Sequence, residues 1–225
     1  MNIQLIYANA GFFTKAALLT LAMFAASVAL ATLIAVIFGG LATIKNSAVR
    51  TAFRIVIEFL RDVPLIVNVF FVFFGAPIFG LQLGPIEATV VSLALWGGAN
   101  GAEIVRGGIN AVSAHQIESA RALGLSRLCV FAFIVVPQAV RPIIPAYAGL
   151  CTVLLQSTSL GALVGAPELL KSAQIIIERA AYFQGGMPGM TVYTFILVLY
   201  FAAGSTLTRL TRSLERRLNR STQPS

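Results

Sequence analysis

The feature that most constrains this chain is a set of long stretches that contain no charged residue. An α-helix needs about 20 predominantly apolar residues to cross the roughly 30 Å hydrocarbon layer of a bilayer. Four charge-free stretches are long enough, namely residues 16–44, 63–86, 142–167 and 180–208. A fifth stretch, residues 88–102, reaches spanning length when residues 104 and 105 are added. The sequence therefore predicts an all-α integral membrane protein with five transmembrane helices.

We expect one transmembrane domain over residues 1–225 that contains five spans. The predicted spans are residues 14–44, 58–80, 86–106, 138–165 and 188–210. A cytoplasmic loop of residues 107–130 joins the third and fourth spans, and a basic tail of residues 211–225 follows the fifth. The first span is expected to stay uncleaved, because its apolar run is longer than that of a signal peptide and no basic region precedes it.

The charged residues of the chain are few and unevenly distributed. Charged residues make up 11% of the sequence, whereas a soluble domain carries about 25%. This excludes a soluble globular enzyme and a disordered tail. The net charge of +8 is typical of nucleic-acid binding, but thirteen of the sixteen lysines and arginines lie in the segments that follow the first, third and fifth charge-free stretches in chain order. By the positive-inside rule, this predicts the N-terminus outside and the C-terminus in the cytoplasm. The basic excess is thus a topology signal, and we expect no nucleic-acid partner.

The loop between the third and fourth predicted spans contains helix-capping signals. Ser113 and Gln116 have the spacing of a capping box, which predicts a short helix beginning near Ala114. Gly124 is expected to end this helix, since glycine suits the left-handed conformation of a helix end. Ser126 is expected to cap the segment that follows. From the spacing alone, a docking helix and a solvated connector both remain open.

The residues of this loop carry a family resemblance. Glu118-Ser119-Ala120, followed by Gly124 and residues 134–137, resembles the "EAA" coupling motif of the inner-membrane subunits of ABC importers. More closely, the chain resembles the permeases for polar amino acids, the group that serves histidine, glutamate, glutamine, arginine and opines. The matching blocks, in order, are residues 58–65, 102–108, 116–126, 137–139 and 158–160.

The resemblance implies a type I ABC importer permease fold, with the loop helix acting as a coupling helix that inserts into a separate ATP-binding subunit. The coupling positions that carry over are Gln116, Glu118, Ser119, Ala120 and Gly124. The implied partners are two ATP-binding subunits, a second permease that is identical or homologous, an extracytoplasmic substrate-binding protein and a polar amino acid. The implied location is the bacterial inner membrane. ATP and Mg²⁺ belong to the ATPase, so this chain is expected to bind no cofactor and to have no enzymatic activity.

The sequence departs from the family pattern at three places. Ser119 stands where the motif has alanine, and His115 stands where glycine usually precedes the motif glutamine. Gln156 and Ser157 replace a Lys-Asp pair that is common just before Thr-Ser-Leu. The last change removes two charges from a predicted span, so the charge preference of relatives does not carry over to this chain.

Polar side chains within the predicted spans are candidates for the translocation path, because polar residues in lipid face other helices, water or substrate. The candidates are Asn68, Asn100, Gln156, Ser157 and Thr158. Hydrogen bonding between or within helices is the alternative explanation for each of them.

Several chemical classes lack their sequence signatures. There is no Gly-x4-Gly-Lys-Ser/Thr phosphate loop, so ATP binding is assigned to a partner. His115 is the only histidine, which excludes a histidine-rich metal site and a Ser-His-Asp triad. Cys129 and Cys151 lie in apolar sequence and are expected to be buried packing residues. A gradient-driven secondary transporter or channel subunit is the alternative function, and a membrane scaffold is a second one.

Overall fold

The computed structural model describes residues 3–44, 46–184 and 189–220, and over these ranges the chain is helical without any strand. The α-helices in chain order are α1 Ile3–Ala8, α2 Ala10–Leu41, α3 Ser47–Asp62, α4 Leu65–Gly75, α5 Pro85–Asn110, α6 Ala114–Ala122, α7 Arg127–Val130, α8 Val136–Ser157, α9 Leu169–Gln184 and α10 Gly189–Arg220. Ala76–Phe79 and Thr158–Val164 form 3-10 helices. Phe131–Val135 form a π-helical turn between α7 and α8.

Three of the described helical stretches are long and apolar enough to cross a membrane: Ala10–Leu41, Arg127–Val164 and Gly189–Ser213. A fourth candidate is the pair α3 and α4, which is bent by 101° at its break. The all-helical membrane class is thereby confirmed, whereas the number of five spans stays a prediction. Residue 188 of the fifth predicted span and residues 221–225 of the predicted tail lie outside the described ranges.

The second predicted span, residues 58–80, is interrupted. Asp62 ends α3 and Leu65 begins α4. Pro64 explains the break, because proline has no N–H to donate and its ring disfavours the helical conformation of the residue before it. Residues 58–62 therefore belong to a helix that precedes the apolar segment.

The described residues form two compact units. The first unit is built from segments Met1–Leu30, Val63–Ala94 and Thr152–Leu207. Its core joins the first half of α2 to α9 and α10. The buried side chains of this core are Phe13, Ala16, Leu169, Ala173, Ile176, Val192 and Ile196. The rings of Phe13 and Phe195 meet edge to face with their centroids 5.2 Å apart.

The second unit is built from segments Ala31–Asp62, Leu95–Cys151 and Thr208–Ser225. Small residues allow its helices to approach closely, as is common in membrane proteins. A Cβ atom placed on Gly39 of α2 would lie only 2.7 Å from the carbonyl oxygen of Ala102 on α5. On the same helix α5, a Cβ on Gly101 would lie 2.7 Å from the Cβ of Ala35 and 2.9 Å from the Tyr147 ring. These contacts bring α2, α5 and α8 together.

The adjacent glycines Gly39 and Gly40 allow this close packing to be tested. We expect Gly39→Ala to lower the free energy of unfolding by about 1–3 kcal/mol, because the new methyl group overpacks against the α5 backbone. Gly40→Ala is the matched control, since a Cβ there meets nothing within 4 Å. That change should be neutral or stabilising by up to about 1 kcal/mol. Unfolding midpoints of the two purified variants in detergent provide the comparison, and equal midpoints would contradict the packing.

Candidate functional site

The loop between α5 and α8 contains the helix that the sequence predicts. Helix α6 spans Ala114–Ala122 and begins directly after Ser113, whose backbone is non-helical (φ −59°, ψ 128°). The start at Ala114 agrees with the prediction. The Ser113 side chain makes no capping hydrogen bond, however, so the capping-box interaction with α6 is not formed. The first turn of the helix is thus placed by the backbone conformation alone.

The C-terminal end of α6 is closed by a Schellman motif. Gly124 has a φ of +85°, the left-handed conformation that favours glycine. The Gly124 N–H donates to the carbonyl of Arg121 at 3.0 Å, and the Leu125 N–H donates to the carbonyl of Ala120 at 3.2 Å. These are the two hydrogen bonds of the motif. The helix therefore ends in a fixed turn, and Ser126 then caps α7 by accepting from the Cys129 N–H at 3.3 Å.

Four of the five predicted coupling residues lie on the surface. Gln116, Glu118, Ser119 and Gly124 are exposed. Ala120 is only 5% exposed and packs inward among Val112, Val130, Val135 and Ala139. Ala120 therefore anchors α6 to its own unit and is the one predicted coupling residue that does not lie on the exposed surface.

Two features of the exposed surface of this loop were not predicted from the sequence. Leu123 and Leu128 are each 81% exposed, one on either side of Gly124. The exposure of these two leucines could have been predicted from the sequence, because apolar residues at the end of a short polar loop helix have no hydrophobic core to pack into. His115, which replaces the usual glycine, has its Nδ1 atom 3.0 Å from Ser119 Oγ, in hydrogen-bond contact one turn along the helix. Two of the three departures from the family pattern thus meet in one surface pair.

An ion-pair cluster lies where α3 approaches α5. The Arg106 guanidinium contacts the Glu103 carboxylate through three hydrogen bonds of 2.6 to 3.1 Å. Arg61 of α3 lies 3.9 Å from the same carboxylate. The charged side chains of Arg61, Glu103 and Arg106 therefore lie together, and the contact between Arg61 and Glu103 links α3 to α5.

The candidate path residues of the first unit lie on α4 and around the end of α8. Asn68 is 7% exposed, and its side-chain amide nitrogen has no hydrogen-bond partner among the described residues. Helix α4 packs against the 3-10 helix Thr158–Val164, at the point where α8 ends at Ser157. Gln156 is exposed and Ser157 is half-buried, whereas Thr158 is fully buried and donates to the Leu155 carbonyl at 2.7 Å. The fully buried position of Thr158 favours a structural role.

Asn100, the remaining candidate, belongs to the second unit. Its side-chain amide donates to the carbonyl of Trp96 at 2.9 Å, within its own helix. The residue is partly buried. This hydrogen bond fixes the orientation of the whole Asn100 carboxamide group, including its oxygen.

A buried carboxyl group in the first unit was also missed. Glu168 is fully buried and accepts hydrogen bonds from the N–H groups of Leu170 and Lys171, at 3.0 and 2.8 Å, at the start of α9. The Tyr200 hydroxyl of α10 donates to the same carboxylate at 2.8 Å. The Thr20 hydroxyl of α2 accepts from the Leu169 N–H at 3.1 Å. One polar cluster thus joins α2, α9 and α10.

Burial raises the pKa of the Glu168 carboxyl, while the three donors act in the opposite direction by favouring its ionised form. Glu168 lies in the connection between the fourth and fifth predicted spans. A residue in such a connection is not found by searching spans for acids, which explains why the sequence did not single it out.

The cysteines do not share one environment. Cys151 is half-buried, consistent with a packing role, but Cys129 is exposed. The expectation of burial is therefore wrong for Cys129, because its apolar neighbours form a short exposed helix and not a core segment. No group of three or more metal-ligating side chains occurs in the part of the chain that the structure describes.

Comparisons with known proteins agree with the predicted class. The family model described as binding-protein-dependent transport system inner membrane component matches residues 31–220. A probable glutamine ABC transporter permease protein of Bacillus subtilis is 32% identical over 198 residues, which cover 88% of this chain and 89% of that protein. A probable amino-acid ABC transporter permease protein of Sinorhizobium fredii is 35% identical over 182 residues, covering 78% and 74% of the two chains.

Solved structures show the same fold. The crystal structure of an amino acid ABC transporter with histidines matches with a TM-score of 0.86 and 25% identity, covering 96% of this chain and 99% of that one. An inward-facing methionine ABC transporter matches with a TM-score of 0.78 at 20% identity, covering 97% and 99%. The second likeness is one of fold alone.

Proposed function

Because the chain belongs to the family of binding-protein-dependent transport system inner membrane components, we propose that it is the permease subunit of an ATP-driven bacterial importer of polar amino acids. Relatives named as glutamine and amino-acid permeases, aligned over most of both chains, support this substrate class. The same relatives favour the ATP-driven reading over a gradient-driven transporter or channel. The expected location is the bacterial inner membrane, with the N-terminus outside and the C-terminus in the cytoplasm.

The coupling role is assigned to the exposed surface of α6 and the turn after it. The observation that carries this proposal is a short helix that is closed at Gly124 by two hydrogen bonds and anchored inward by Ala120. Such a helix can transmit a displacement, because its C-terminal end is fixed by these hydrogen bonds and Ala120 holds it against its own unit. Gln116, Glu118 and Ser119 then face the ATPase, and ATP with Mg²⁺ stays on that subunit.

The proposed assembly contains more chains than this one. Two ATP-binding subunits contact the α6 loops of two permeases, which are identical or homologous. An extracytoplasmic binding protein delivers the amino acid to the opposite face. In this assembly one permease chain contributes half of the pathway. This agrees with the small number of polar residues in the apolar helices that the structure describes.

Asn68 is the path residue that the geometry supports best. Its buried amide nitrogen lacks a partner in the described chain, and a buried unpaired donor is costly unless water or a ligand satisfies it. The carboxylate or carbonyl oxygen of an amino acid is a suitable acceptor. Gln156 and Ser157 of the same unit supply further uncharged polar groups, so an uncharged or zwitterionic substrate fits better than one that needs a fixed counter-charge.

The proposed function is tested by uptake into vesicles that contain the permease, its ATPase and its binding protein. We expect uptake of a polar amino acid that requires ATP and both partners. Uptake that persists without the ATPase and follows an imposed ion gradient would instead support the alternative function.

In the same assay, Asn68→Leu should reduce uptake about tenfold, which corresponds to 1.4 kcal/mol. The melting temperature of this variant should stay equal or rise, because an unsatisfied amide has been removed.

A further inference from the structure

Helix α3 carries a surface that neither the fold nor the proposed function uses. One face of the helix packs against its own unit through Val49, Phe53, Ile57 and Leu60. Ile57 is fully buried and belongs to a core cluster with Ala42, Ala99 and Ala102. The ring of Phe53 meets Phe38 of α2 edge to face at 5.1 Å. This inner face fixes how α3 is rotated about its axis.

The apolar face of α3 that adjoins this inner face is open. It consists of five residues at helical spacing, called here the outer stripe: Ala48, Ala52, Ile55, Val56 and Phe59. All five are exposed, and the fractions reach 61% for Ile55 and 67% for Phe59. The inner face and the outer stripe together form one continuous apolar half of the helix, and the remaining side is a polar arc that contains Arg50, Thr51, Arg54, Glu58 and Arg61. The helix therefore has the amphipathic pattern of an interfacial helix, except that half of its apolar surface contacts protein.

The position of α3 along the chain restricts where this stripe can lie. Leu41, which ends the apolar helix α2, is followed by a compact turn in which the N–H groups of Ala42, Thr43 and Ile44 are bonded to the carbonyls of Phe38, Gly40 and Leu41. Ala42 in this turn belongs to the same buried cluster as Ile57, in the second half of α3. At the other end, two residues separate Asp62 from Leu65, where the apolar helix α4 begins. Helix α3 is thus held between the end of α2, which is long and apolar enough to cross a membrane, and the start of the apolar helix α4.

The charges of α3 exclude a position deeper in the bilayer. Three arginines and two acids lie within its 16 residues, and charged side chains in the hydrocarbon layer are strongly disfavoured. A helix that is tied to the membrane surface, cannot enter the core, and exposes an apolar stripe fits best in the plane of the interface.

We propose that α3 lies in the plane of the membrane surface with its outer stripe inserted among lipid acyl chains and its polar arc facing headgroups and water. The partner of this surface is the lipid bilayer itself. The arginines of the polar arc complement the phosphate groups of lipids at that depth. This places a lipid-contacting element directly before α4, on which Asn68 lies, and it goes beyond the proposed transport function.

Spin labels on the two sides of α3 test this proposal in the assembled transporter, reconstituted in lipid vesicles. Single cysteines are introduced by Ile55→Cys and Phe59→Cys on the outer stripe, and by Thr51→Cys and Glu58→Cys on the polar arc. The background carries Cys129→Ser and Cys151→Ser, and Phe71→Cys on the exposed apolar surface of α4 gives a lipid-facing reference. Accessibility of each label is measured to oxygen, which concentrates in lipid, and to a water-soluble nickel complex.

The expected result is a ratio of oxygen to nickel accessibility that is severalfold higher at positions 55 and 59 than at positions 51 and 58, and close to that at position 71. Labels at 55 and 59 that are shielded from both reagents would overturn the proposal and show that a protein, either a second permease or the ATPase, covers the stripe. Equal nickel accessibility on both sides of the helix would also overturn it, because α3 would then stand in water.

A second measurement avoids the labels and uses a conservative change. Phe59→Trp in a Trp96→Phe background provides one fluorophore on the outer stripe. Brominated lipids should quench its emission, and bromines near the headgroup should quench more than bromines near the end of the acyl chain. Absence of quenching by either lipid, in a transporter that retains ATP-driven uptake, contradicts the lipid contact.

Discussion

Replacing Gly124 by aspartate is expected to abolish the co-purification of the ATPase with this permease while leaving the permease itself folded. The backbone at Gly124 is left-handed, with φ +85°. Asparagine and aspartate tolerate this conformation better than other residues that carry a Cβ. A Cβ at this position meets nothing within 4 Å in the chain. The substituted side chain therefore has room within the permease, and only a docked partner can contact it.

The size of the effect follows from the surroundings of Gly124. Leu123 and Leu128 are 81% exposed on either side, and docking of the α6 loop into a cleft would bury them. A carboxylate introduced between two buried leucines loses its hydration without gaining a counter-charge, which costs several kcal/mol. Since 1.4 kcal/mol corresponds to a factor of ten in affinity, the complex should weaken by far more than tenfold.

The measurement is an affinity pull-down from native membranes in mild detergent, with the ATPase detected in the eluate. Gly124→Asn is the matched control, because asparagine has the same shape as aspartate and tolerates the left-handed backbone but carries no charge. It should retain much more of the ATPase than Gly124→Asp, and both variants should melt close to the wild type. An ATPase that stays bound to the folded Gly124→Asp permease would remove the coupling role from this loop.

The parts of this structure that could be predicted from the sequence are set by local interactions. Helix α6 begins at Ala114 and ends before Gly124 because a non-helical residue and a glycine in the left-handed conformation stand at its two ends. The Ser126 cap was likewise predicted from adjacent residues, and its bond to the Cys129 N–H is present. The break at Pro64 is also local in origin, although the apolar composition around it concealed the change from α3 to α4.

The parts that escaped prediction depend on partners far away in the sequence. The inward packing of Ala120 requires Val135, the last residue of a π-helical turn that the sequence does not predict, and Ala139, which follows that turn. The role of Glu168 requires Tyr200, 32 residues later. A sequence search for polar residues in spans could not combine a connecting-loop acid with a tyrosine in the last helix.

Glu168 is expected to be the most sensitive single position for the stability of the first unit. Glu168→Ala leaves the N–H groups of Leu170 and Lys171 and the Tyr200 hydroxyl without their acceptor. A buried donor that loses its acceptor costs about 1–3 kcal/mol, and since these three donors are partly buried, the free energy of unfolding should fall by about 3 kcal/mol in total. Glu178, an exposed acid on α9, provides the control. Glu178→Ala should change the free energy of unfolding by less than about 0.5 kcal/mol. Similar losses for the two alanine variants would show that the cluster contributes little.

The same carboxyl should also make the stability of the permease depend on pH, and the sign follows from its raised pKa. As the pH rises past the ordinary pKa of glutamate, the unfolded chain releases this proton while the folded chain still holds it. The folded state then binds more protons, so the free energy of unfolding contributed by Glu168 decreases with rising pH and levels off above the folded pKa. Glu168→Gln, which cannot titrate, removes this slope of at most about 1.4 kcal/mol per pH unit. The unfolding midpoints of both proteins are measured across mildly acidic pH. The stability advantage of the wild type over Glu168→Gln should shrink as the pH rises. A constant difference would mean that the carboxyl titrates in the folded chain as it does in the unfolded chain.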